Sequence, residues 1–305
     1  GISAPTIDKE ITAQLKAAQL AKIAELSKDP AYLADRAAAA RLFGTFPYGR
    51  PQIGTAESVQ KIDFADLMGL RERFLTADNA TITISGNFDA NLVYRALRRY
   101  FGGWLKSDKT VPSTFRQPEP PKTGMPIFDS PVPDKSEFRI AIRGSARGDK
   151  DFYASSILAS ILDKRMKQSE GGKAFVRQEV NTLRGSYIFG VSDWNLGKIR
   201  REGNTIALPD TDGYQKRILD PAIKAEEFDA AKREYVAAVA QASPADLWLD
   251  IDTYKLGTAK AEADNLQATV IADVQRVLER LQKEPAAFVL VFGDAPHPTA
   301  APATN

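Results

Sequence analysis

The sequence predicts an α+β fold of two homologous units, each a mostly antiparallel sheet covered by helices, the first truncated at its front. Three observations lead there. Strand-like and helix-like segments mix without strict βαβ alternation, which favours layered α+β over a doubly wound parallel sheet. A proline-dense stretch divides the chain. A helix–strand–glycine block also recurs, Gln60 to Gly86 lying on Gln267 to Gly293 at a constant offset of 207 residues. Gln60, Ala65, Asp66, Glu72, Arg73, Ala80 and Gly86 meet identical residues in the second copy, and Leu67, Leu70, Ile82 and Ile84 meet Val274, Val277, Val289 and Val291. If the second copy starts near Met125, the first is expected to start roughly eighty residues ahead of Gly1.

Taken in order, Asp8 to Leu26 spaces Ile11, Leu15, Ala18, Ile23 and Leu26 as an amphipathic helix does. Asp29-Pro30 reads as a helix start, with Asp as N-cap and Pro at the first position; that helix stops at Gly44. The Pro/Gly-dense turn Phe46 to Thr55 leads to a helix from Asp63 to Phe74, with Asp66 adding negative charge to its first turn. Ala80 to Ser85 alternates with a period of two and predicts a half-buried strand closed by Gly86. Asp89 opens a helix from Ala90 to Tyr100.

Seven prolines between Pro112 and Pro133 mark an extended linker passing into an edge strand. The expected units are 1–105, a linker over 106–124, a complete unit over 125–295 and a tail over 296–305. In the second unit the pattern predicts a strand from Phe138 to Arg143 and a helix from Asp151 to Met166. A short helix carrying Phe175, Val176 and Val180 follows, then strands near Ser186 to Trp194 and Thr205 to Leu208. Two or three helices lead to a last strand, Ala287 to Phe292.

Composition narrows the chemistry. Apolar content of 43% and charged content of 26% are those of a soluble globular protein. A net charge of +2, with acid and base interleaved, gives no drive toward nucleic acid. No apolar run nears the roughly 18 residues of a membrane span, and the start, Gly1-Ile2-Ser3-Ala4, reads as a processed end rather than a signal peptide. Zero cysteine excludes disulfides and thiolate metal sites. The single histidine, His297, stands in an Ala/Pro-rich tail. Neither a His-x-x-Glu-His nor a His-Glu-x-x-His zinc site can be built from one histidine. Ser145 and Ser186 beside glycines lack a nucleophile elbow, a Ser-Lys pair finds no supporting spacing, and Gly171-Gly172-Lys173 lacks the rest of a phosphate loop. Trp194 and Trp248 read as core.

Pro47-Tyr48-Gly49-Arg50-Pro51 with Gly54-Thr55, Asp78-Asn79-Ala80 entering a segment that ends Gly86-Asn87, and Phe101-Gly102-Gly103-Trp104 together resemble the pitrilysin (insulinase-type) zinc peptidases. The second half is similar to their C-terminal domain, including Phe175-Val176-Arg177-Gln178-Glu179, and the resemblance runs from about Ile7 to Asp294. It implies α+β halves that close around a peptide, and an extracytoplasmic setting. The family's inverted zinc motif would lie ahead of Gly1, and the place of its later Glu falls near Lys22, a cation, with Glu25 a turn away. The chain is therefore expected to be a non-catalytic half with no cofactor of its own and no catalytic residue; Glu10 and Glu25 are expected to be solvated. Zinc is expected only in a partner half, on the same polypeptide or in a heterodimer, with a homodimer as a further option. Family C-terminal halves use an Arg and, seven residues on, a Tyr to reach the substrate backbone. Arg177 matches the Arg, Arg184 stands at the Tyr position, and Tyr187 is the nearest Tyr, so these three are the expected peptide-binding residues. The alternative is a peptidase-like assembly module with no part in proteolysis.

Overall fold

The structure is a computed structural model that describes residues 5, 7–107, 118–119, 121, 124–171, 173–193, 200–202, 205–207 and 211–293, with backbone alone at 200–202, 205–207 and 211–214. Among these residues are eleven α-helices and seven strands, in two packing units. The α+β expectation is met.

The larger unit comprises residues 25–51, 117–240 and 263–305. Its five-stranded sheet has the order β1 (Ile127–Asp129), β7 (Ala286–Phe292), β2 (Glu137–Arg143), β4 (Ser186–Ser192), β3 (Ala174–Glu179). The β1–β7 pair is parallel; the other pairs are antiparallel. Helices α6 (Phe152–Glu170) and α11 (Ile271–Lys283) contribute Ile157, Leu158, Leu162, Val274, Leu278 and Leu281 to one core cluster with Phe138, Ile140, Ile142, Tyr187 and Phe189 of the sheet. Alternate residues of the same strands, Ala141, Ile188, Ala287 and Val289, form a second cluster with Ala38, Leu42 and Phe43 of α2 (Pro30–Phe43). Period-two alternation thus gives each strand two buried faces. The small side chains Ala34 and Ala38 leave α2 room to lie close, and both are fully buried. The expected cap is present: Asp29 accepts from the Ala31 N–H at 2.9 Å, and Gly44, at φ +58°, ends the helix in a region that favours glycine. Residues 25–51, which the sequence reading assigns to the first unit, pack with the second.

Five helices, not two or three, precede β7: α7 (Thr211–Leu219), α8 (Ala225–Gln241), α9 (Pro244–Thr253), α10 (Ala259–Ala268) and α11. Arg165 of α6 clamps the start of α8. Its Nε and Nη2 donate to the two carboxylate oxygens of Glu227 at 2.8 and 2.6 Å, and further N–H groups reach the carbonyls of Pro221 and Ala222. The Arg165 hydrogen bonds hold the Glu227 carboxyl below its ordinary range against some opposition from burial. A carboxyl depressed in the folded state adds stability above its unfolded pKa, and loses that contribution as pH falls through the folded value. Urea midpoints are therefore expected to fall below about pH 4.5, and more shallowly in Glu227→Gln; equal slopes in both proteins would refute the assignment.

The smaller unit comprises residues 1–24, 52–116 and 241–262. It holds most of α1 (Lys9–Leu26), α3 (Ala56–Lys61), α4 (Phe64–Phe74), α5 (Ala90–Phe101) and α9. Asp63 and Asp66 form a capping box at the start of α4, each carboxylate accepting a backbone N–H at 3.0 Å, and Asp89 caps α5 as expected. The unit is tied largely by polar contacts. Lys16 donates to the Ile62 carbonyl at 2.9 Å, Gln19 to the Ile53 carbonyl at 2.8 Å, and the Trp104 indole to the Leu75 carbonyl at 3.0 Å.

Three expectations need correction. Ala80 to Ser85 is not a strand. Alternation describes side chains, whereas a strand also needs a neighbour for its N–H and C=O groups, and none flanks this segment among the described residues. Residues 174–179 are a strand rather than a helix, because six cross-strand pairs with β4 outweigh local propensity. Trp248, expected in a core, is 53% exposed on α9. Trp194, Leu208, His297 and most of the proline-rich linker lie outside the described residues.

Candidate substrate-contact site

Arg177 lies on β3, an outer strand of the sheet, with Ile188 of β4 as its cross-strand partner. Strand alternation puts it on the face that carries Phe175 and α2, away from Ala174 and Val176 of the main core. Its Nη2 donates to Asp35 of α2 at 3.0 Å and to Glu179 at 3.2 Å, and its Nε to Glu179 at 3.4 Å. Nη1 takes no partner among the described residues, and the side chain is 41% exposed. One guanidinium nitrogen is thus available to an acceptor from outside.

Beneath it lies a buried partner. Arg139 of β2 is 1% exposed; its Nε donates to the other oxygen of Asp35 at 2.6 Å and its Nη1 to Glu137 at 2.8 Å. Both guanidiniums lie over the Phe175 ring, the Arg139 Cζ 5.0 Å and the Arg177 Cζ 5.3 Å from its centroid. A cation over an aromatic face is attracted by the ring's quadrupole. Ser192 and Ser186 donate to Glu137 and Glu179, which close the array at each end. Two guanidiniums face three carboxylates, so the group is net negative and Arg177 is braced as well as neutralised. Sequence reading missed Arg139, Asp35 and Glu137. An acid and a base alternating on one strand (Glu137, Arg139) was the available signal.

The other two expected residues stand elsewhere. Arg184, in the turn from β3 to β4, donates through Nε to the Gly144 carbonyl at 3.0 Å and pairs with Glu284. Tyr187 pairs with Gln178, one residue beyond Arg177, so it points to the opposite face of the sheet. It is 1% exposed, and its hydroxyl donates to the Ser155 carbonyl at 2.7 Å. Burial pushes its pKa up. Tyr187 is a core residue here, and the expectation that it meets peptide is corrected.

Glu10 and Glu25 of α1 are exposed and bond only locally, Glu25 to Lys28 at 2.8 Å; Lys22 is exposed too. Among the described residues no cluster of three or more His, Asp or Glu side chains has the arrangement to hold a metal ion. Ser145 is buried and accepts from Arg280 at 2.9 Å, with no lysine in the contact. An open cleft of roughly 470 Å³ lies between α6, α7 and α8; Arg165, Arg217 and Lys224 line it, and none of the three expected residues does.

Residues 61–170 match the family model described as the peptidase M16 inactive domain. That stretch is similar to the M16 inactive domain, in keeping with the pitrilysin-type resemblance of the motifs. An uncharacterized zinc protease of Mycobacterium tuberculosis is 31% identical to this chain over 169 residues, covering 54% of it and 37% of the relative. The chain thus spans no more than 37% of the length of the curated relatives it matches. Among solved structures, a peptidase M16 inactive domain from Pseudomonas fluorescens superposes with a TM-score of 0.75 at 20% identity, over 95% of this chain and 72% of that one. The periplasmic protease PqqL of Escherichia coli gives 0.66 at 16% identity, over 95% and 33%. These structures share the fold. Among the described residues no helix is long and apolar enough to cross a membrane.

Proposed function

We propose that this chain is the non-catalytic half of a pitrilysin-type zinc metallopeptidase. It forms part of the wall of a peptide-enclosing chamber and holds substrate through Arg177, with Arg184 as a second contact. The observation that carries this reading is the inactive-domain match over residues 61–170. It agrees with a sequence whose single histidine cannot form the family's zinc motif. The zinc and the general base belong to a partner half, on the same polypeptide or on another subunit, and the setting is extracytoplasmic, as the periplasmic neighbour suggests. At the contact, the open Nη1 of Arg177 donates to a peptide carbonyl while Asp35 and Glu179 fix the guanidinium plane.

The test mixes this chain with a zinc-bearing M16 half from the same organism and follows peptide cleavage. The chain is expected to stimulate cleavage. A hydrogen bond to a charged group contributes about 1.5–3 kcal/mol, so Arg177→Ala should lower kcat/KM by roughly 10- to 100-fold. Stimulation unchanged in the variant would remove Arg177 from the site. No stimulation at all would favour the second reading, an assembly module, which the pairing of Arg177 with Asp35 and Glu179 also supports.

A further inference from the structure

The larger unit holds an arginine whose hydrogen bonds, among the described residues, go to main-chain carbonyls alone. Arg143, the last residue of β2, donates through Nη2 to the carbonyls of Pro118 and Glu119, the latter at 2.9 Å. Its Nε is buried and meets no acceptor among the described residues. Burial and the neighbouring Arg184 cation hold its pKa below the ordinary guanidinium range. Arg165 shows what a purely structural arginine does in this fold: Nε and both Nη nitrogens are bonded, and the Glu227 carboxylate answers its charge. Arg143 keeps a donor in reserve, and a buried donor without an acceptor costs free energy that a ligand can recover.

Its place in the sheet is next to Arg177. Across β4, Ser186 faces Arg143 on one side and Glu179, which braces Arg177, on the other. Arg143 stands two residues beyond Ala141, whose side chain packs with α2, so it shares the face that carries Arg177. The Arg143 Cζ lies 6.0 Å from the centroid of the Phe43 ring of α2. Arg177 is opposite Ile188, two residues from Ser186. The Cα atoms of the two arginines are thus roughly 12 Å apart, two strand spacings across and two residues along. An extended peptide covers that distance in about four residues.

We infer that Arg143 is a further peptide-backbone site beside Arg177, that its ligand is an extended polypeptide presenting carbonyls, and that the chain's own Pro118-Glu119 fills it in the free protein. A substrate peptide anchored at Arg177 runs on to Arg143 and exchanges its carbonyls for those of Pro118 and Glu119, with the unspent Nε as an added donor. The linker is therefore a built-in competitor for the peptide. Carbonyls carry no side-chain information, so the site selects an extended main chain rather than a sequence, and proline, which keeps its carbonyl, is admitted. Arg184 differs, since its Nε is bonded to the Gly144 carbonyl and its charge is answered by Glu284.

The inference rests on the proposed function for the part of Arg177, and its test uses the isolated chain, so that the two fail separately. The chain has no cysteine, so Gln117→Cys takes a single fluorophore next to Pro118, and the label's anisotropy follows the linker. The probe is a ten-residue Ala/Ser peptide blocked at both ends, its binding read in parallel by calorimetry. Anisotropy is expected to fall as the peptide saturates, with the calorimetric midpoint, to the value that Arg143→Met shows without peptide. Met keeps an unbranched side chain over Phe43 and removes every donor; circular dichroism and the urea midpoint check that this variant is folded. In Arg177→Ala the label should stay held until peptide is added, and at least tenfold more peptide should be needed to release it. Peptide that binds without moving the label, or an Arg143→Met label as immobile as the parent's, overturns the inference and leaves the proposed function standing. No peptide binding to the isolated chain overturns it as well. Failure to stimulate a zinc-bearing half while peptide still releases the label removes the role in cleavage and keeps the Arg143 site.

Discussion

Arg139→Ala is expected to cost about 3–5 kcal/mol of stability, the range for removing one partner of a buried ion pair. The loss does not measure how much the pair attracts. Glu137, itself nearly buried, and Asp35 would keep their charges and lose the guanidinium that offsets their desolvation. Phe175 would lose the cation packed over its ring, and Arg177 would keep Asp35 without the brace behind it. Urea denaturation of the variant reads the cost directly. A control settles the cause. Replacing Arg139 by Met together with Glu137→Gln removes the stranded buried carboxylate, and should recover a good part of the loss even though the ion pair is gone. If Arg139→Ala cost less than about 1 kcal/mol, the array would be surface decoration and Arg177 would need another explanation for its geometry.

The sequence discloses different parts of this molecule to different degrees, and the differences follow from the range of the forces. Helix starts are local. Asp29-Pro30, Asp63 with Asp66, and Asp89 each satisfy backbone N–H groups within three residues, and all three are where the sequence places them. The β3 strand is not local. Phe175-Val176-Arg177-Gln178-Glu179 mixes residues acceptable to helix and strand, and only pairing with β4, which the sequence does not print, decides between them. The same register decides Tyr187. Seven or ten positions along the chain from Arg177 says nothing about side until Gln178 is known to face Tyr187 across the strands; then Arg177 and Tyr187 must point opposite ways. Residues 80–85 are the converse. Their alternation is legible, but no strand lies beside them among the described residues, so the pattern yields no strand.

The repeat makes that last point measurable, because it offers matched positions in covered and uncovered surroundings. Leu281→Ala empties space between α11 and the sheet, where the side chain is 2% exposed, and is expected to cost about 2–5 kcal/mol. Phe74→Ala, at the equivalent place on α4, removes a larger side chain from a site 37% exposed with no sheet beside it among the described residues. Its effect on the isolated chain is expected to stay within about 0.5 kcal/mol. Size alone predicts the reverse order, since phenylalanine carries more apolar area than leucine. Urea denaturation of the two variants therefore separates burial from bulk. If Phe74→Ala proves as costly as Leu281→Ala, α4 already has a core around it.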